Sequence, residues 1–507
     1  MIRLKSLVLV VLLGMLSFGV VSGFYSVAVA AEEDVVKMGV LLDIRDFTPF
    51  ETGSTQWPIA LNVYDRLLQL DKAGNLTPML VTSWEVRGNT ISLQLRKGVK
   101  FHDGTDFTPE VFVKNIEFAQ DPVTGYDNFM VATRIAKTTI TGTYSVELTV
   151  EGTSPYWVLR QLVQFPIASP NSFPLHKTGI GTGPFKVESW SPGIELVLTK
   201  FEDYWQEGKP KTDKLIVSVY SDPRTLVNAL KAGQIDWATP VPFEFAKELQ
   251  QDSNFVVEDT SYSFYNVIYL NVGDPDSPFY NNKKLRQAMQ YAIDREAYTE
   301  LGFFGFGGPR VNAYWDASPY TVDNFEKLYY FDLDKAKQLI EEAGYDKDHP
   351  LEFTLTTSSG FPRFEPIAAL LQEDLAKIGV AMTIEVQEPG TWATWLTKGL
   401  YTATLSFMEP NPLILFAGTA YRPDESNVPW AGNPPQDYVE IVNTLQTSLS
   451  EQEITATHIK AQIALLDESW SITLCTRPFV IAWAKYLKGV TWGTFNWPIA
   501  ENVEIQK

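Results

Sequence analysis

Sulfur chemistry is nearly absent from this chain: one cysteine, Cys475, stands in 507 residues. A lone thiol excludes an internal disulfide, and with no CxxC pair or Cys/His cluster it excludes a thiolate zinc site. Cys475 closes the apolar run SITLC at 471–475, so it reads as a buried strand residue rather than a catalytic thiol. Histidine is almost as scarce. His102, His176, His349 and His458 never recur at zinc-ligand spacing, and no metal or cofactor is expected. No GxSxG elbow occurs and no nucleophile pairs with a base, so the chain is expected not to be an enzyme; an exported hydrolase on the same scaffold is the rival reading. Basic charge is in deficit, 41 Lys and Arg against 61 Asp and Glu, giving a net charge of -20 and a pI near 4.7. That balance excludes a phosphate-backbone partner and disfavours an anionic membrane surface. Low-complexity tethers and tandem repeats are missing too, so the lobes of this chain should be closely connected. After the N-terminus no apolar run is long enough to span a membrane.

What is present is a large apolar inventory. Hydrophobic residues make up 45% and aromatic residues 13%, while only 20% are charged. A chain of this length suggests several domains at roughly 150 residues each, able to bury sizeable cores without disulfides. The first thirty residues have a separate logic. Arg3 and Lys5 precede an apolar run from Leu7 to Val21, and the small residues Ala28, Val29 and Ala30 follow just before Glu32. This is the pattern of a secretory signal peptide over residues 1–30, with cleavage after Ala30. No cysteine lies near that point, which excludes an N-terminal lipid anchor. The expected location is the periplasm or another extracytoplasmic space.

From Val35 the hydrophobic period switches repeatedly between two and 3.6. Strands are expected at 35–42, 215–219, 351–356, 380–386 and 472–483, and a hairpin at 80–95 turning at Gly88. Thr108, Pro109 and Glu110 form a strong helix start: a capping hydroxyl, a fixed φ in the first turn and a carboxylate at the positive end. That helix is expected to run to Ala119. Further helices are expected at 58–68, 222–232, 283–293, 335–343, 366–378 and, for the most part, 439–466. The succession gives an α/β fold with hairpin insertions.

Six blocks then carry a resemblance. They are NVYDRLL at 62–68 with LTPMLVTSW at 76–84, LRKGVKFHDGTDFT at 95–108, and GTGPFK at 181–186 with WSPG at 190–193. NALKAGQID at 228–236, LRQAMQYAIDR at 285–295 and DKAKQLIEEAGY at 334–345 complete the set. In this order and spacing the chain resembles the bacterial extracellular solute-binding proteins of family 5, receptors of peptide, nickel and oligosaccharide ABC importers. Read physically, FHDG at 101–104 is a tight turn in which His102 makes structural hydrogen bonds. GTGP at 181–184 lacks the Gly-Lys-Ser/Thr end of a phosphate loop. Arg286, Asp294 and Arg295 are expected in helix and cap ion pairs.

The resemblance implies a two-lobed periplasmic-binding-protein fold of the large class II, cluster C type, with an extra subdomain inserted in domain I. Domain I would span 34–265, with the insertion at about 57–180. Domain II would span 266–475, and 476–507 would return to domain I. It also implies a monomer that closes over a small solute and meets an ABC importer permease. In peptide-binding relatives an acidic loop holds the peptide ammonium. The matching stretch here, FMEPNP at 407–412, has Met408 and Asn411 where acids are expected, with Glu409 between them. An asparagine cannot neutralise a desolvated ammonium. An oligosaccharide or other solute compatible with aromatic surfaces is therefore the expectation, and an oligopeptide or modified peptide the alternative. The candidate ligand-binding residues are Phe47, Trp57, Trp315, Arg363, Trp392, Trp395, Met408, Glu409, Asn411 and Trp430. Flat rings would pack on solute faces, and Arg363 would pair with a carboxylate or with the opposite lobe.

Overall fold

The computed structural model describes residues 33–48, 61–71, 73–122, 129–173, 178–311, 328–408, 435–493 and 498–506. The signal-peptide segment therefore lies outside the described residues. Along the chain the strands are β1 (Val35–Val40), β2 (Leu68–Leu70), β3 (Leu76–Pro78), β4 (Val81–Arg87), β5 (Thr90–Leu95), β6 (Ile135–Gly142), β7 (Ser145–Val150) and β8 (Phe185–Ser191). They continue as β9 (Glu195–Lys200), β10 (Lys214–Val219), β11 (Trp237–Thr239), β12 (Phe255–Leu270), β13 (Glu352–Ser358), β14 (Ala381–Gln387), β15 (Ala403–Met408) and β16 (Ser471–Ala484).

Ten of these strands form one sheet in the order β14-β13-β15-β12-β16-β11-β1-β10-β9-β8. Its two ends are built differently from its middle. At one end β1 runs parallel to β10 and β11; at the other β13 runs parallel to β14 and β15. Between them β12 and β16 run antiparallel, paired from Phe255 opposite Ala484 to Tyr269 opposite Ser471. Their register shifts between Asp259 and Ser263, where the pair leaves one half of the sheet for the other. A smaller sheet, β4-β5-β7-β6, shows the alternation of a one-sided sheet. Ile91, Leu93 and Leu95 of β5 and Val146, Leu148 and Val150 of β7 are buried, and the intervening polar residues face outward.

Among the described residues three larger apolar cores follow, beside a small cluster of Val311, Tyr329 and Leu466. The first joins residues 36–237 to Ile481, Trp483, Leu487, Ala500 and Val503. The second gathers Tyr265 through Cys475. The third packs Leu226, Val227, Leu249 and Phe306 against Val480 and Ala482 at the crossing. Fully burying a leucine-sized side chain contributes about 1.5–3 kcal/mol, so each core adds many such contributions, and the antiparallel strands β12 and β16 run between them.

Local signals set the helix starts. Thr108 accepts from the Val111 N–H at 3.4 Å and opens helix Pro109–Ala119. Asp222 caps Pro223–Lys231 and Asp332 caps Leu333–Glu342 in the same way. Asp294 caps helix Arg295–Phe303 through the Ala297 N–H at 3.3 Å. The helix expected at 58–68 does not form in its described part. Residues 61–63 are a turn, Arg66 bridges to Pro166, and Leu68 begins β2. The apolar run Leu61, Val63, Leu67 and Leu68 is buried all round in the first core, and periodicity alone does not separate such a segment from a buried helix.

Among the described residues no helix is long and apolar enough to cross a membrane.

Candidate functional site

The region where the sheet changes hands brings most chemistry-bearing side chains together. In open α/β sheets, loops outside the carboxyl ends of parallel strands form the binding crevice. Here those ends are Val40 of β1, Thr239 of β11, Ser358 of β13, Gln387 of β14 and Met408 of β15. Met408 is paired with Tyr265 on β12, and Tyr265 is paired with Thr476 on β16. Two strand spacings, about 10 Å, thus separate the end of β15 from β16. The segment carrying Glu409 and Asn411 leaves Met408 at this crossing.

The crossing carries a cluster of rings. Phe264 of β12 meets Phe407 of β15 edge-on at 5.7 Å and Phe479 of β16 at 5.8 Å. Phe361, in the loop after β13, meets Phe407 at 5.1 Å and Trp392 at 5.4 Å. Directly opposite Phe264 in the antiparallel register stands Arg477. Facing residues of an antiparallel pair leave the same side of the sheet, so this cation and this ring share a face. Asn266 is buried on that strand; its Oδ1 has no hydrogen-bond partner, and its amide reaches only the Cys475 sulfur at 4.0 Å. Cys475 itself is buried, and burial pushes its thiol up to about 12. It is inert at neutral pH.

Two candidates from the sequence sit within cores. Phe47 is 3% exposed; its ring meets Trp190 edge-on at 5.2 Å and its carbonyl accepts from the Tyr64 hydroxyl at 2.6 Å. Trp392 is 6% exposed and its indole N–H donates to Thr404 at 3.2 Å. In this structure both rings fill packing space, Trp392 directly behind Phe361. Trp395 is half-buried on the same helix, Pro389–Lys398. Arg363 donates to Glu244 at 2.7 Å and lies over the Phe304 ring at 5.1 Å. Glu244 belongs to helix Phe243–Leu249, whose Ala246 and Leu249 pack in the third core, whereas the segment after Arg363 enters the second. Trp57, Trp315, Glu409, Asn411 and Trp430 lie outside the described residues, as does the side chain of Met408.

Sequence reading missed Phe264, Phe361, Phe407, Phe479 and Arg477. One signal was available: Arg477 is a cation inside the otherwise apolar strand 471–484, where a charge demands a reason. The other ionic blocks have local roles. Arg286 pairs with Glu468 at 2.9 Å, and buried Arg295 donates to the carbonyls of Gln290, Arg310 and Thr473. His102 is a clasp: its Nδ1 accepts from the Gly181 N–H at 3.3 Å, so its Nε2–H donates to the Gly183 carbonyl at 2.9 Å.

A cavity of about 300 Å³ opens elsewhere, among Leu61, Tyr64, Asp65, Arg96, Trp205 and Glu501. It lies within the first core's part of the chain, and its charges are already engaged. Asp65 accepts from Thr182, Tyr204 and Trp205 at 3.1, 3.1 and 2.7 Å; burial nevertheless raises its carboxyl to about 7. Lys209 pairs with Glu501 at 2.6 Å, and Arg96 stacks on Trp205 at 4.2 Å. These groups form a connected polar network.

Comparison with known proteins gives this architecture a family. Residues 75–413 match the bacterial extracellular solute-binding proteins, family 5 (middle). The chain belongs to that family. This family 5 protein is 28% identical over 502 residues to the glutathione-binding protein GsiB of Escherichia coli (strain K12), covering 94% of this chain and 95% of GsiB. The structure of DppA, an ABC transporter-associated periplasmic binding protein from Helicobacter pylori in complex with peptide STSA, superposes with a TM-score of 0.72 at 23% identity. It covers 93% of this chain and 98% of DppA. The periplasmic binding protein AgaA from A. tumefaciens R10, in complex with agropinic acid, gives 0.71 at 23% identity, with 93% and 99% covered. The family 5 protein therefore has the two-lobed periplasmic-binding-protein fold of the class II, cluster C type. The expectation of an oligosaccharide is corrected by these findings, because the solutes named for these relatives are glutathione, a peptide and agropinic acid. The reading from Asn411 rested on a single loop position, which does not by itself decide the solute class.

Proposed function

We propose that this protein is an exported receptor that binds a peptide or small peptide-like solute between its lobes and delivers it to an ABC importer. The observation that carries the reading is the crossing itself. Two long antiparallel strands run between two apolar cores, and rings from three strands meet one another on the sheet face that Arg477 shares. Such a junction allows rotation about few backbone positions while each core stays rigid. A solute that contacts both lobes stabilises the shut form by its differential affinity for that form.

The proposed lobes are 34–265 with an insertion at about 57–180, then 266–475, with 476–507 returning to the first lobe. Residues 1–30 serve as the export signal. The names of GsiB and DppA support a peptide-class solute and, for DppA, an ABC transporter partner. Phe361 and Phe407 belong to the ligand surface, with Trp392 supporting Phe361 from behind. Trp57, Trp315, Trp395, Trp430 and the Met408–Glu409–Asn411 loop complete its walls.

Isothermal calorimetry of the mature protein with glutathione, tri-alanine and longer alanine peptides tests this. Saturable binding to at least one of them is expected, with a negative heat-capacity change from buried apolar surface. Absence of binding across the series overturns the peptide-class reading.

A further inference from the structure

We infer that Arg477 anchors a carboxylate of the bound solute, which assigns the ligand class as a peptide-like acid with its free carboxyl group directed at the crossing strands. The inference rests on the receptor reading above and extends it to a particular residue.

The argument begins with what surrounds this arginine. The chain carries 61 acidic residues against 41 Lys and Arg, so a cation that needs a partner has many to choose from. Two buried arginines have partners, one acidic and one neutral. Arg286 holds Glu468, and Arg295 is surrounded by carbonyls. Arg477 is half-buried in β16, yet it takes part in no ion pair and no hydrogen bond of its side chain among the described residues. Burial alone holds its guanidinium below the ordinary value, with no acidic group acting in the other direction. A desolvated cation without a counter-charge is costly, and a fold keeps one where something else supplies the anion. The residue is partly exposed, so a ligand can approach it.

Position completes the case. The backbone around Arg477 is held on both sides. Thr476 accepts from the Gly308 N–H at 2.6 Å, and the Phe479 N–H donates to Thr260 at 3.3 Å. The side chain leaves the sheet on the same face as Phe264, beside the ring cluster with Phe407 and Phe479. A guanidinium rooted on a fixed strand and set among apolar rings presents paired N–H donors in a setting with little water to compete. Such a site favours bidentate recognition of a carboxylate. Arg363, the arginine singled out from sequence, is the weaker candidate because Glu244 already occupies it.

The test compares tri-alanine, which has a free carboxylate, with tri-alanine amide. Calorimetry on wild type, Arg477→Gln and Arg477→Lys is run beside thermal-shift measurements with acetate and acetamide. Wild type is expected to prefer the acid over the amide by about 10-fold or more, as charge-assisted hydrogen bonds imply. Arg477→Gln is expected to bind both alike while melting no lower than wild type, since it removes an uncompensated charge. Arg477→Lys is expected to keep part of the preference, because a point charge remains without the fork. Acetate is expected to raise the wild-type melting temperature and leave that of Arg477→Gln unmoved. Equal acid preference in wild type and Arg477→Gln overturns the assignment while leaving the receptor reading intact. Absence of peptide binding together with absence of an acetate-specific shift overturns both.

Discussion

Two buried side chains and one half-buried histidine give this protein opposing responses to pH. His458 is 1% exposed, and burial next to the positive charge of Arg160 lowers its imidazole to about 3; burial lowers that of His102 to about 4. Both are neutral in the fold and take up a proton on unfolding below pH 6.5. Their stabilising contribution is complete above 6.5 and declines as pH falls toward 4, with a slope of about 1.4 kcal/mol per pH unit for each group. Asp65 acts in the other sense. Its carboxyl is raised to about 7, so stability increases as pH falls from 7 to about 4 as the buried acid gains its proton. Chemical denaturation across pH 7 to 4 should therefore show His458→Leu with a shallower acid decline than wild type. An unchanged slope would show that protonating His458 does not disturb the fold.

At the scale of elements, close approach and capping decide what each segment tolerates. The 181–183 loop lies against the backbone of residue 63. A Cβ at Gly181 would overlap the Val63 carbonyl oxygen, and one at Gly183 would lie 2.6 Å from the Val63 carbonyl carbon. Gly181→Ala is expected to destabilise by roughly 2 kcal/mol or more, because the obstacle is backbone that cannot rotate away. Thr108→Ala removes one cap hydrogen bond and is expected to cost about 1 kcal/mol. Urea midpoints measure both, and a Gly181→Ala variant no worse than Thr108→Ala would refute the steric account. The two sites also show what was readable in advance. Thr108, Pro109 and Glu110 announce a helix in three adjacent residues. The contact of Gly181 with Val63 spans more than a hundred positions and leaves no local trace.

For the whole molecule, the proposed closure would be governed by the crossing strands and the Glu244–Arg363 pair. That pair joins segments belonging to different cores and is partly exposed, with side-chain accessibilities of 44% and 34%. An exposed ion pair contributes no more than about 1 kcal/mol, so it biases the equilibrium without locking it. Small-angle scattering is expected to show a smaller radius of gyration when a tight-binding peptide is added. Arg363→Gln is expected to move the peptide dissociation constant by no more than about fivefold. A change of a hundredfold would place Arg363 on the ligand.

Sequence alone determined the α/β class, the capped helices, the strands β1, β10, β13, β14 and β16 of the large sheet and the six blocks that mark the family, because each is written in short-range periodicity or contiguous residues; the long central strand β12 and the strands β11 and β15 were not expected. It also marked Cys475 as buried from its apolar run and His102 as structural from its turn, although the partners of both lie 79 to 209 positions away along the chain. Tertiary structure decided that residues 61–68 form a turn and a strand rather than a helix, that Phe47 and Trp392 fill cores, and that Arg363 already has a partner. It alone brought Phe264, Phe407 and Phe479 beside Arg477. The physical reason is that whether a ring is core or surface, and whether a cation is compensated, depends on what lies across the sheet, and those neighbours are up to two hundred residues away along the chain.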